Sequence, residues 1–158
     1  RKAFDEAVDS LIEFRKKEGE SLRAVFMEKL VNIRELLSQV DPFEKERVEK
    51  IKQRIQEQLV ALKDIDYDKN RFEQEMIYYI EKLDVNEEKN RLRQHLSYFE
   101  ETMNMEGASG KKMGFIAQEI GREINTLGSK SNHSEMQKIV VKMKDELEQI
   151  KEQVLNVL

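Results

Sequence analysis

With 158 residues, 39% hydrophobic and 38% charged, the chain has the length of one domain and enough apolar side chains to bury a core. One proline, six glycines and no cysteine argue for long helices over strands, and exclude a disulfide framework or a thiolate metal site. The formal net charge of −4 gives no chain-wide attraction to nucleic acid, and no apolar run approaches the ~18 residues of a membrane span, so no membrane partner is expected.

The first element, residues 4–37, carries Phe4, Val8, Leu11, Leu22, Phe26, Leu30, Ile33 and Leu37 on one stripe of 3.6-residue period. Arg15 and Glu18 interrupt that stripe just before Gly19, so they are expected to form an internal ion pair or part of a polar site. The stretch "DPFE" predicts a second helix: Asp41 caps it, Pro42 takes the first position and Glu44 completes a capping box. That helix is expected to reach about Ile65, with a break at Asp66 to Asp68. A third helix follows to about Lys82, with Phe72, Met76, Tyr79 and Leu83 as its apolar edge.

The fourth helix, about residues 85–105, has Val85, Leu92, Leu96, Phe99 and Met103 as its seam. Asp84, Glu88, Arg91 and His95 form a second stripe beside it, within an arc of about 60° at 100° per residue. "GASG", residues 107–110, is the clearest linker and is expected to be flexible. The final helix should be capped by Asn132 with Glu135. Its Met136, Val140, Met143, Leu147, Ile150, Val154 and Val157 alternate steps of four and three, a heptad seam that needs a partner helix.

Between "GASG" and that last helix lies "GFIAQEIGREINTLGSKSNHSE". Met113, Ile116, Ala117, Ile120, Gly121, Ile124 and Leu127 fill one arc of the wheel. Gln118, Glu119, Arg122, Glu123, Asn125 and Thr126 fill the other, with Phe115 as an aromatic on the polar side. Two carboxylates one turn apart, Glu119 and Glu123, could hold a hard divalent cation or join Arg122 in a surface network. Residues 107–144 hold seven Lys and Arg against three Glu, a local basic excess in an acidic chain. This stretch is expected to lie near the Asp84-to-His95 stripe. Glu123 should be partly buried, with Arg15, Arg91 or a metal ion as its partner.

The stretch "GFIAQEIGREINTLGSKS" resembles the signature of the YicC/YloC family of bacterial proteins. "RFEQEMIYYIEKLDVNEEKNRLRQHL" is similar to the family's preceding block, with Asp84, Glu87, Glu88, Arg91, Leu92 and His95 in place. "FRKKEGESL" and "IKEQVLNVL" resemble an earlier block and the family's end. Two positions depart from the pattern: Gly114 stands where the family has Asp, and Gly121 where it has Asn.

The resemblance implies the C-terminal helical half of a metal-dependent endoribonuclease. Mn²⁺ is the favoured ion, with Mg²⁺ as a substitute. RNA is the implied substrate, the cytoplasm the location, and ring-like homo-oligomers (hexamers) the assembly. It also implies an N-terminal α/β domain preceding this chain, which opens at Arg1 inside a helical pattern.

The expected architecture is all-α: long antiparallel helices in an extended bundle of about five to six, with residues 1–158 forming a single helical domain. From the matched polar positions, Glu88, Glu119 and Glu123 are the expected metal ligands. His95 joins them as catalytic acid or base, because an imidazole titrates near neutrality. Arg91, Arg122 and Lys130 would hold RNA phosphate, and Arg15, Glu18, Asp84, Asn125 and Thr126 would support them. The alternative is a non-catalytic helical oligomerisation or RNA-binding module.

Overall fold

A computed structural model describes residues 2–61 and 69–157. The described residues form helices and no strand: α1 Lys2–Ala61, α2 Lys69–Leu83, α3 Asn86–Asn104, α4 Gly110–Lys130 and α5 Ser134–Val154. Among them, no helix is long and apolar enough to cross a membrane.

Four of these helices pack as one bundle, fewer than the five to six expected. α2 buries no residue and stands beside it. The register is fixed by cross-helix pairs. Phe26 and Phe99 stack edge-on at 5.3 Å near one end while Glu44 meets Lys89 near the other, so α1 and α3 run antiparallel. Glu88 meets Lys130 and His95 meets Glu123, which makes α3 and α4 antiparallel. Gly128 abuts Val140 while Gly121 abuts Leu147, and Asn32 bonds Glu146 while Glu46 meets His133. Thus α5 opposes both α4 and α1, and the bundle closes as the cycle α1–α3–α4–α5 with α1 diagonal to α4.

The heptad seam of α5 is buried from Met136 to Val154, and its partners, α1 and α4, belong to the same chain. The α3 seam and the α4 apolar arc are likewise buried. Burial at ~25 cal/mol per Å² makes these stripes the main source of stability.

The first two expected helices are one. A stripe of Phe26, Leu30, Ile33, Leu37, Val40, Glu44 and Arg47 runs unbroken past Pro42, which faces solvent inside α1. Packing on both sides of the proline outweighs the roughly 3 kcal/mol that a missing donor and ring clash cost. Asp41 and Glu44 do not cap a helix; both pair with the Lys89 ammonium. The expected break at Asp66 to Asp68 lies outside the described residues.

At 60 residues, α1 spans about 90 Å, roughly three times the length of α4 or α5. Its first turns overhang the bundle, leaving Phe4, Leu11 and Phe14 exposed at 70%, 51% and 60%. The expected apolar stripe is therefore core only from Phe26 onward, with Leu22 at the margin. Residues 107–110 join α3 to α4: Gly107 takes φ +74, and the Ser109 hydroxyl accepts from the Lys112 amide to cap α4. The cap of α5 is His133, not Asn132; its Nδ1 accepts from the Glu135 amide at 3.1 Å.

Candidate functional site

The stretch from Gly114 and the Asp84-to-His95 stripe do lie together, along the α3–α4 contact. Because these helices are antiparallel, polar residues at the rim of each apolar arc meet in two clusters. The clusters are seven residues apart on each helix, about 10 Å along the axis.

The first cluster is the pair His95 and Glu123. His95 Nε2 lies 3.7 Å from Glu123 Oε1, with the Glu123 side chain 6% exposed and the imidazole 27%. Glu123 is buried, as its place at the edge of the apolar arc predicts. Its partner is neither Arg15 nor Arg91 but His95, on the facing helix. The pairing leaves Nδ1 as the ring nitrogen not directed at Glu123. Arg122, exposed, adjoins Glu123 in sequence and makes a loose 3.8 Å pair with half-buried Glu119. Arg91 is also exposed, one turn before His95, and bonds Glu87.

The second cluster is built on Glu88. Its Oε1 accepts from Lys130 Nζ at 2.6 Å, and the same ammonium donates to the Asp84 carbonyl at 3.4 Å. Glu88 is buried, and its Oε2 has no hydrogen-bond partner among the described residues. Lys130 is therefore committed to Glu88 rather than available to phosphate. The Asp84 carboxylate accepts from the Asn86 amide at 2.9 Å, just before the Val85 cap of α3. Thr126 donates to the Arg122 carbonyl at 3.0 Å within its own helix, and Asn125 is exposed.

Arg15 and Glu18 belong to neither cluster. Both are exposed on the overhang of α1. They line a groove with Met103, Met113 and Val157 at the end of the bundle away from Glu88. The overhang explains this: none of the described helices packs over that part of the stripe.

The expected three-carboxylate metal site is not assembled. Glu88 is neutralised by Lys130 in one cluster, while Glu119 and Glu123 belong to the other. Among the described residues no group of three or more His, Asp and Glu side chains could hold a metal ion. The donor set of this chain therefore does not fit a metal held by Glu88, Glu119 and Glu123 together.

Arg47 escaped the sequence reading. It is 4% exposed, and its guanidinium donates to the Lys130 carbonyl at 2.8 Å and to the Leu83 carbonyl. Those oxygens end α4 and α2, where helix carbonyls lack internal partners and the dipole favours a cation. Burial pulls its pKa below the usual arginine value, opposed by Glu44 and Asp84. The available signal was its place on the Phe26-to-Glu44 stripe, three residues past a glutamate. Nearby, Glu46 sits 3.6 Å from His133 Nε2; Lys50 foremost, and His133, hold its carboxyl below the ordinary range.

The two family departures are packing positions. A Cβ on Gly121 would sit 3.1 Å from Leu147 Cδ2, and one on Gly114 would touch Val154 at 3.5 Å. Both point toward α5, away from His95.

Residues 40–158 match the family model described as Endoribonuclease YicC-like, C-terminal. A Haemophilus influenzae protein named "Probable endoribonuclease YicC" is 33% identical over 98% of this chain and 53% of its own length. A Clostridioides difficile protein of the same name is 34% identical over 57% of the chain and 31% of its length. The chain thus spans about half the length of the first of these relatives and less of the second. It belongs to the YicC-like family and corresponds to that family's C-terminal region.

Proposed function

We propose that this chain is the helical part of an endoribonuclease, and that RNA phosphodiester cleavage is centred on His95 and Glu123. The observation that supports this most is a buried carboxylate paired, across two helices, with a half-buried imidazole on a rim bearing two exposed arginines. A surface network has no need to bury a glutamate. In this reading Glu123 orients His95, and the free ring nitrogen takes or gives the proton at a ribose or leaving-group oxygen. Arg91 and Arg122 bind phosphate oxygens, with Arg122 drawn away from its loose pair with Glu119.

The relatives' shared name and the resemblance support RNA as substrate; the cytoplasm as location rests on the resemblance alone. A divalent-metal requirement, with Mn²⁺ preferred, rests on the resemblance alone. Among the described residues no cluster of side chains would hold it. The homo-oligomer and an N-terminal domain remain partners in the proposal. The overhang of α1, with Phe4, Leu11 and Phe14 exposed, favours an assembly role in addition.

The test is cleavage of unpaired RNA by full-length protein, with and without Mn²⁺, in wild type, His95→Ala and Glu123→Gln. Loss in both variants with the oligomer intact supports the site. Wild-type-like cleavage in both leaves the assembly reading in its place.

A further inference from the structure

The geometry points to a base-stacking platform for unpaired RNA on the α3–α4 shoulder, formed by Tyr98 and Phe115 with Lys112 between them. This inference rests on the proposed RNA site and adds how a strand is held there. On α3, Arg91, His95 and Tyr98 fall at steps of four and three, so Tyr98 continues the rim that carries His95. On α4, Phe115, Glu119, Arg122 and Thr126 fall at steps of four, three and four, and Phe115 continues the exposed ridge beside Glu123. The two aromatics therefore extend the face of the His95–Glu123 pair toward the start of α4. Phe115 lies about 12 Å along the axis from Glu123.

Three observations separate this patch from ordinary surface. Phe115 is 63% exposed in the first turns of α4, and Tyr98 is 42% exposed. The Lys112 ammonium lies 5.3 Å from the Tyr98 ring centroid, so a cation already sits against that aromatic. The hollow around Phe115, between α4 and the end of α5, is lined by Lys111, Lys112 and Lys151 beside Val154 and Leu155; Lys151 pairs with Glu148, and Lys111 and Lys112 face no carboxylate of the lining. Aromatic faces set beside Lys111 and Lys112 match a single strand, whose bases stack while its phosphates pair. The exposed apolar stripe on α1 differs: Phe4, Leu11 and Phe14 alternate with Asp5, Asp9 and Glu13, which would repel a phosphate backbone.

The test is fluorescence anisotropy with a labelled, unstructured 2′-O-methyl oligoadenylate, without divalent metal, and a duplex of the same length as control. Tyr98→Ala and Phe115→Ala should each weaken single-strand binding roughly five- to hundredfold. Tyr98→Phe and Phe115→Trp should restore it, and duplex binding should not change. Both sites are exposed, so melting temperatures should match wild type. No measurable wild-type binding, alanine variants that bind as tightly, or aromatic variants that bind as weakly as alanine would each overturn the platform. Loss of stacking with cleavage unaffected by His95→Ala would keep the platform and remove the proposed centre. Intact binding in the alanine variants with His95-dependent cleavage would do the reverse.

Discussion

Replacing Arg47 by Met tests whether one guanidinium holds the polar end of the bundle. Methionine keeps most of the buried stem and removes both donors, leaving the Lys130 and Leu83 carbonyls without them. Each bond from a charged donor is worth about 1.5–3 kcal/mol. Part of that is returned, because an uncharged side chain no longer carries the desolvation that lowers the arginine pKa. The net loss should be about 2–3 kcal/mol. At ~2–4 °C per kcal/mol for a domain of this size, the melting temperature should fall by about 4–12 °C. Circular dichroism at the helical band reads this directly, and urea titration gives the free energy. Arg47→Lys should recover less than half, since an ammonium cannot fork to two helix ends. A melting temperature within about 1 °C of wild type would show that water replaces the arginine at both carbonyls and would refute the reasoning.

Two further outcomes follow from burial. Lys130→Met leaves the buried Glu88 carboxylate without its ammonium and should cost about 2–3 kcal/mol, discounted because Lys130 is itself 31% exposed. Adding Glu88→Leu should restore most of the loss in urea denaturation. Leu30→Ala should cost about 2–5 kcal/mol and Leu11→Ala less than about 0.5 kcal/mol, because Leu30 is fully buried and Leu11 is 51% exposed on the overhang.

Periodicity made much of this fold legible. The steps of α5 and α3 named their buried residues, because an apolar stripe at helical spacing must find a partner whatever the topology. Helix ends were less legible. Pro42 reads as a start, and only the stripe continuing through Val40, Glu44 and Arg47 shows that packing overrides it. His133 caps α5 through a ring nitrogen, a use that composition does not advertise. At the site, the arc position of Glu123 foretold its burial and a cross-helix partner, but charge type misled: an imidazole took the place expected for an arginine or a metal. Glu88 and Lys130 are separate residues in the sequence and a pair only once antiparallel register is known. Arg15 and Glu18 looked interior because a stripe carries no mark of where the bundle beneath it ends.

The central claim is that His95 and Glu123 form one chemical unit. The most direct measurement is single-turnover cleavage of a saturating unpaired RNA by full-length wild type, His95→Ala, Glu123→Gln and the double variant, with melting temperature and oligomer size recorded for each. The account predicts that each single change lowers the rate about 10²–10⁴-fold while the assembly persists. The double variant should be no slower than the worse single, because both act on the same proton. Single-variant rates within about threefold of wild type, or fully multiplicative losses in the double variant, would contradict it.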